Sequence, residues 1–366
     1  MTTQLQREDL VEEFKKIADR LKKRMFRKVP YDQISEHYAN LSLHLQRNGQ
    51  KHYTAISMLC AANAEKMNKT PLNAAFFYVY SGRIFSDQAC SEKLIQYYTG
   101  EEFISEAIDA FREAIEIYDA KQIYSMCASL CYELAQTLKI LGKFSESSHY
   151  YTKCFFYSVK QGKLGEVDLD SSFVDNSNNL SLNRDTSHSM ELNALQNAID
   201  CLLEIKDFEM AVLRLKIYVN ILEERIDYFS NSETTEHNVK LIEWRPIYKI
   251  FIRQWMDAQI TLLIVLLLQK RKEEASEVFE NLNSGEENSW IASEFPFFYE
   301  NVLPLFAALI ENCMDDNIDG IEQLLSQELQ FCVTDQQQSL LEILRSTYEN
   351  PLFMDILLKK EGAEEK

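Results

Sequence analysis

Glycine and proline are scarce in this chain, at 9 and 6 of 366 residues, about a third of their average shares. Sandwiches and barrels need turn chemistry at short, regular intervals, and Gly, Pro and Asn-Gly signals are too few here to supply it. A mostly helical chain remains. Paired cysteines are missing too: the eight Cys, at 60, 90, 127, 131, 154, 201, 313 and 332, form no CxxC pair, no knuckle spacing and no cluster with His. They read as small buried apolar residues in a reducing compartment. No N-terminal apolar segment resembles a signal peptide, which argues against secretion. The longest apolar run, Ile260 to Leu268, is nine residues with one Thr, between Asp257 and the basic Lys270, Arg271 and Lys272. A membrane span needs about twice that length, so the run predicts a buried helix and no transmembrane segment.

Chemical signatures are also lacking. The sequence has no HExxH, GxSxG, GxxxxGK[ST] or GxGxxG, the spacings that build metalloprotease, hydrolase and phosphate-binding sites. His37 and His44 are seven apart and can share a helix face, yet no carboxylate or cysteine completes a zinc set at the usual spacing. Acidic residues are plentiful, but without a pocket they read as solvated surface. Catalytic, cofactor-binding and metal-binding residues are therefore unassigned, and the chain reads as a non-enzyme.

What is present is material for a core: 46% apolar residues, with 21 Phe, 18 Tyr and 3 Trp, which argues against wholesale disorder. The 38 basic and 57 acidic residues give a net charge of −19, which weighs against nucleic acid and anionic membranes as partners of the whole chain. The distribution is uneven. Residues 1–30 hold nine Lys and Arg against five Asp and Glu, whereas residues 273–366 hold four against twenty-one.

Apolar residues recur at helical spacing nearly throughout. Leu10, Phe14, Ile17 and Leu21 form one stripe of a first helix, whose other face carries Lys15, Lys16, Arg20, Lys22, Lys23, Arg24, Arg27 and Lys28. A tetratricopeptide repeat is a helical hairpin of about 34 residues in which bulky and small residues alternate so that two helices approach closely. Three stretches follow that order. Tyr38, Leu41, Ser42 and Leu45 precede Gly49, then Thr54, Met58 and Ala61; Cys131, Leu134, Ala135 and Leu138 precede Gly142, then Ser147, Tyr151 and Cys154. Leu195, Ala198, Ile199 and Leu202 precede Lys206, then Ala211, Leu215 and Tyr218. Ala107, Phe111 and Ala114 show the second-helix pattern alone. The expected fold is all-α, a tetratricopeptide-like α-solenoid of stacked helical hairpins. Residues 1–160 hold the basic helix and first hairpins, 161–190 an Asn/Ser/Asp-rich disordered insertion, 191–229 a further hairpin, 230–240 a linker, and 241–366 a C-terminal helical part.

In that last part a helix from Ile247 to Gln269 becomes apolar on all sides, including Leu262, Leu263, Leu266 and Leu267. Such a helix must be covered all round, by a further helix of the chain or by a partner. The cluster Phe295, Phe297 and Phe298 is likewise core or an anchor for another protein. The carboxylates that follow, among them Asp315, Asp316, Asp319 and Glu322, interleave with apolar helical stripes. They read as folded helices with a one-sign outer face that would steer and orient a basic partner. The basic run Arg20 to Lys28 is open to three functional readings, a nuclear-import signal, a membrane-surface helix or a docking site for an acidic groove, beside the plain one of a solvated face.

Several segments taken in order resemble one family, the 40-kilodalton huntingtin-associated protein. They are RLKKRMFRK followed by a Pro, the leucine-packed Ile260 to Gln269, Asn288-Ser289-Trp290, Val302 to Phe306, and Thr334 to Leu341. The chain differs in having Asn/Ser-rich insertions where the family has a proline-rich one, as in a distant member. The resemblance implies a non-catalytic scaffold that binds and stabilises huntingtin, a giant HEAT-repeat protein. It also implies a link to early endosomes through a Rab GTPase, a cytoplasmic location with an endosomal association, and a nuclear pool. Partner contacts are expected from the four leucines, Trp290, the three phenylalanines, the four carboxylates, and Lys22, Lys23, Arg24, Arg27 and Lys28. The alternative is an acidic adaptor like the soluble NSF-attachment proteins, acting on SNARE bundles and an AAA+ ATPase.

Overall fold

The structure, a computed structural model, describes residues 2–21, 29–95, 101–162, 189–231, 240–283, 295–327, 329 and 332–350. Among them are fourteen α-helices, one π-helical turn and no strand. The described residues up to Ala198 form one compact unit and those from Ile199 onward a second.

In the first unit, α1 (Thr2–Leu21) lies against α2 (Tyr31–Arg47). Its Ile17 is buried with Ile34, Tyr38, Leu41, Leu45, Ala61 and Ala64, and Phe14 packs at the edge of that cluster. Of the expected stripe, Phe14 and Ile17 face the cluster whereas Leu21 is exposed, and Lys15, Lys16 and Arg20 are exposed. The helices α2 and α3 (Lys51–Met67), α4 (Pro71–Leu94) and α5 (Glu102–Ala120), and α6 (Tyr124–Leu141) and α7 (Phe144–Gly162) then follow as sequential antiparallel pairs. The helix α8 (Ser189–Glu204) contains the boundary between the units. The second unit continues with α9 (Phe208–Asn231), α10 (Lys240–Leu268), α11 (Lys272–Asn283), the π-turn Phe298–Val302, α12 (Leu303–Met314), α13 (Ile318–Gln327) and α14 (Asp335–Glu349). This order of paired helices is consistent with stacked helical repeats.

The turns repeat one device. Seven short connections each carry a single residue with φ between 51° and 81°: Gly49, Lys69, Gln122, Gly142, Lys206, Lys270 and Asp316. In each, the next N–H reaches back five residues to a carbonyl of the finished helix, as in Gln50 to Leu45, Thr70 to Glu65, Lys143 to Leu138 and Arg271 to Leu266, at 2.9–3.1 Å. This closure satisfies carbonyls that a helix end would otherwise leave orphaned. Only two of the seven residues are glycine, so a chain poor in glycine still makes tight hairpins.

The bulky and small positions expected in the first two hairpins are buried from Tyr38 to Ala61 and from Cys131 to Cys154. The structure adds a hairpin that the sequence shows only in half. On α4, Tyr78, Ser81, Gly82 and Phe85 are buried at the spacing of Tyr38, Leu41, Ser42 and Leu45. A Cβ on Gly82 would lie 3.1 Å from the Phe111 ring of α5, so a small residue here lets the two helices touch. The match is displaced because α4 runs to Leu94 and α5 starts only at Glu102. This puts Phe111 29 positions after Gly82, whereas Met58 is 16 positions after Ser42.

Two expected boundaries move slightly. The helix α7 runs to Gly162 and α8 starts at Ser189, leaving 163–188 of the expected insertion outside the described residues; 232–239 of the expected linker likewise lie outside them. The apolar helix starts at Lys240 rather than Ile247, so Pro246 sits inside it. A proline lacks its own N–H donor, and one missing ladder bond does not end a 29-residue helix.

Candidate functional site

The apolar helix has its cover within the second unit. Leu262 is 3% exposed, and Leu263, Leu266 and Leu267 are fully buried, under α9, α11 and α14, which pack on α10. Of the two covers left open by the sequence, the chain's own helices are the ones found, and these leucines present no surface to a partner. By length and composition alone, Lys249–Leu268 could cross a membrane, and 72% of that window is buried inside the protein.

Polar side chains set how α10 is held. Thr334 caps α14, accepting from the N–H of Gln337 at 3.3 Å, while Gln337 Oε1 accepts from the N–H of Thr334 at 3.0 Å. The Gln337 amide then donates to the Asp257 carbonyl at 3.0 Å and to Thr261 Oγ1 at 3.1 Å on α10. One glutamine thus closes a capping box and joins two helices, which explains the residue types around Thr334. On the α9 side, Glu223 Oε1 accepts from Trp255 Nε1 at 3.0 Å and from Gln259 Nε2 at 3.4 Å. Burial pushes the Glu223 carboxyl above its ordinary value of 4.5, against the Trp255 bond, which lowers it. Burial likewise raises Asp257, with Arg253 opposing.

The expected partner contacts that lie among the described residues do not converge on one site. Asp315, Asp316 and Asp319 are exposed together at the turn from α12 to α13, with Glu311 one helical turn earlier. Asp316 meets Lys272 at 2.7 Å, whereas Asp315, Asp319 and Glu311 make no ion pair among the described residues. Glu322 faces away toward α14, where Arg345 bridges it at 2.9 Å and Glu349 at 2.8 Å. The phenylalanines stand at the other end of α12, about 18 Å away by the rise of its 12 residues. Phe297 is 66% exposed, and Phe295 and Phe298 are half-buried. Trp290, Lys22, Lys23, Arg24, Arg27 and Lys28 lie outside the described residues.

Two cavities were outside the sequence reading. One, about 340 Å³, is lined by Gly49, Gln50, Lys51, His52, Tyr53, Gln88 and Ser91. Its His52 ring stands among the rings of Tyr53, Phe85 and Phe103 at 5.3–6.1 Å, and Ser91 donates to the Asp87 carbonyl at 2.7 Å. Serine and histidine therefore form no nucleophile–base pair. The other, about 280 Å³, runs between α13 and α14 over Leu325 and Leu341, with Glu342, Arg345 and Glu349 at its rim. Neither cavity is lined by Glu223 or Asp257. No group of three or more His, Cys, Asp or Glu among the described residues is placed to hold a metal ion. The eight cysteines are free thiols; burial pushes Cys127 and Cys154 up to about 12 and raises Cys131 further, as suits packing groups rather than nucleophiles.

Compared with protein-family models and with curated proteins, the chain gave no match.

Proposed function

We propose that this chain is a tetratricopeptide-like α-solenoid acting as a non-catalytic adaptor subunit, one that binds and stabilises a large HEAT-repeat scaffold of the huntingtin kind. The observation that carries the adaptor reading is the repeated hairpin register, with Ser42 against Met58 at 3.5 Å and Gly82 against Phe111 in equivalent places. Arrays of this kind offer extended surfaces for other proteins. The identity of the partner rests on the ordered sequence resemblance, and the exposed carboxylates of the α12–α13 turn suit a basic surface on it. The link to early endosomes through a Rab GTPase, in the cytoplasm with a nuclear pool, belongs to the same reading. The helix α10 enters it as core.

The test is co-purification of the tagged full-length chain from its own cells, followed by mass spectrometry. A very large HEAT-repeat protein recovered in near-equal amount is the expected result. Recovery of SNARE proteins with an AAA+ ATPase would replace this reading with the attachment-protein one, and recovery of neither class would overturn both.

A further inference from the structure

Side chains link the first helices of successive hairpins in the first unit, and the α4–α6 junction carries, beside its Arg83–Glu133 rung, a bond from Lys93 Nζ to the Ile140 carbonyl at 2.7 Å. Gln46 of α2 donates its amide to the Tyr80 hydroxyl of α4 at 2.8 Å. Arg83 of α4 forks onto Glu133 of α6, with Nε to Oε1 at 2.7 Å and Nη2 to Oε2 at 2.8 Å. Lys139 of α6 donates to Asn197 Oδ1 of α8 at 2.9 Å. The second helices have rungs of their own: Lys66 of α3 meets Glu113 of α5 at 2.5 Å, and Tyr157 of α7 donates to Asp119 of α5 at 3.3 Å.

The charges alternate between the layers. Where the first hairpin meets the second, the first-helix rung is neutral (Gln46–Tyr80) and the second-helix rung is an ion pair (Lys66–Glu113). Where the second meets the third, the ion pair is on the first helices (Arg83–Glu133), and the second-helix rung is a phenol on a carboxylate. Both ion pairs are accessible, with side chains 52% and 34% exposed for Lys66 and Glu113 and 53% and 34% for Arg83 and Glu133. Salt therefore screens them, whereas it barely touches a neutral hydrogen bond.

We infer that the first unit has a salt-tuned bend: Arg83–Glu133 sets the spacing of α4 and α6 on the first-helix layer, and Lys66–Glu113 sets that of α3 and α5 on the other. Screening loosens the two junctions on opposite layers, which bends them in opposite senses; on the first-helix layer only the α4–α6 spacing opens with salt. The exposed apolar residues Leu43, Phe76 and Ile140 stand on α2, α4 and α6, and the rungs fix the distances between them. The inference concerns the fold and does not depend on the identity of any partner.

Spin-labelled residues introduced at positions 43 and 140 of the full chain read this distance by pulsed dipolar resonance. On going from about 0.05 M to about 0.5 M salt, the 43–140 distance is expected to lengthen and its distribution to broaden. Arg83→Gln should give the high-salt distribution already at low salt, and the double exchange Arg83→Glu with Glu133→Arg should restore the short one. Lys66→Gln should leave the 43–140 distance unlengthened. A distance that ignores both salt and Arg83→Gln, or an exchange that fails to restore it while far-ultraviolet circular dichroism stays native, would overturn the inference.

Discussion

Two glutamates of the second unit respond to pH with opposite sign because their surroundings differ. Glu223 is enclosed between α9 and α10, and burial lifts its folded pKa above 4.5 despite the donor from Trp255. The folded state then binds more protons than the unfolded one in the window just above 4.5, so stability falls as pH rises through that window. Glu274 accepts from Lys216 at 2.9 Å and from Arg271 at 2.6 Å, which hold its carboxyl below 4.5. Its contribution is present above 4.5 and is lost as pH falls through the depressed value. Glu223→Gln keeps an oxygen for Trp255 and removes the buried charge. It should raise the urea midpoint at pH 7, with the gain shrinking to nothing below the unfolded value. Glu274→Gln should lower the midpoint at pH 7 and converge with the parent in acid. Equal pH dependence in the two variants would contradict both assignments.

The elements are joined by the left-handed turn residue, and five of its seven occupants carry a side chain that this backbone disfavours. The left-handed region costs a non-glycine residue about 1–2 kcal/mol, and glycine gives back roughly half of that gain through its freer unfolded chain. Lys270→Gly and Lys69→Gly, both at exposed turn positions, should each stabilise the protein by about 0.5–1 kcal/mol, read as a higher urea midpoint with an unchanged slope. Loss of stability would mean that these lysines hold the turns by contacts of their own. The same turns show why only part of the fold was legible. Gly49 and Gly142 mark their turns in the sequence, whereas Lys69, Gln122, Lys270 and Asp316 take that conformation because packed helices on either side require it. Gly82, one of nine glycines, was a visible signal in mid-helix, but the longer path to Phe111 hid its partner. The need to cover Leu262 to Leu267 could be read from hydropathy. The cover could not, because α14 docks through Gln337, whose bonds reach 76 and 80 residues back along the chain. Of the candidate contacts, the acidic turn was legible as a cluster, while the diversion of Glu322 to Arg345 depends on how α13 and α14 pair.

At the scale of the molecule, charge is the property most unevenly spread. Residues 273–366 carry −17 of the −19, yet Asp316 is paired with Lys272, Glu322 and Glu349 share Arg345, and Glu274 meets both Arg271 and Lys216. The outward field of the described part of this segment therefore comes from the remaining exposed carboxylates, of which Glu311, Asp315 and Asp319 are clustered at one turn while Glu273, Glu277, Glu280, Glu300, Asp335 and Glu342 stand elsewhere. Fixed like charges at one place act mainly on the encounter: they attract a basic surface over roughly one Debye length, about 10 Å at 0.1 M salt, and leave the docked contacts to packing. If the proposed adaptor role is right, stopped-flow association with a purified huntingtin-type scaffold should slow by about tenfold or more between low and physiological salt, with little change in dissociation. The triple variant Glu311→Gln, Asp315→Asn, Asp319→Asn should associate more slowly at low salt and show a shallower salt dependence than the parent. If the variant instead dissociates faster while associating at the parent rate, these carboxylates are docked contacts and the steering idea fails; if neither rate changes, the acidic turn serves solubility alone.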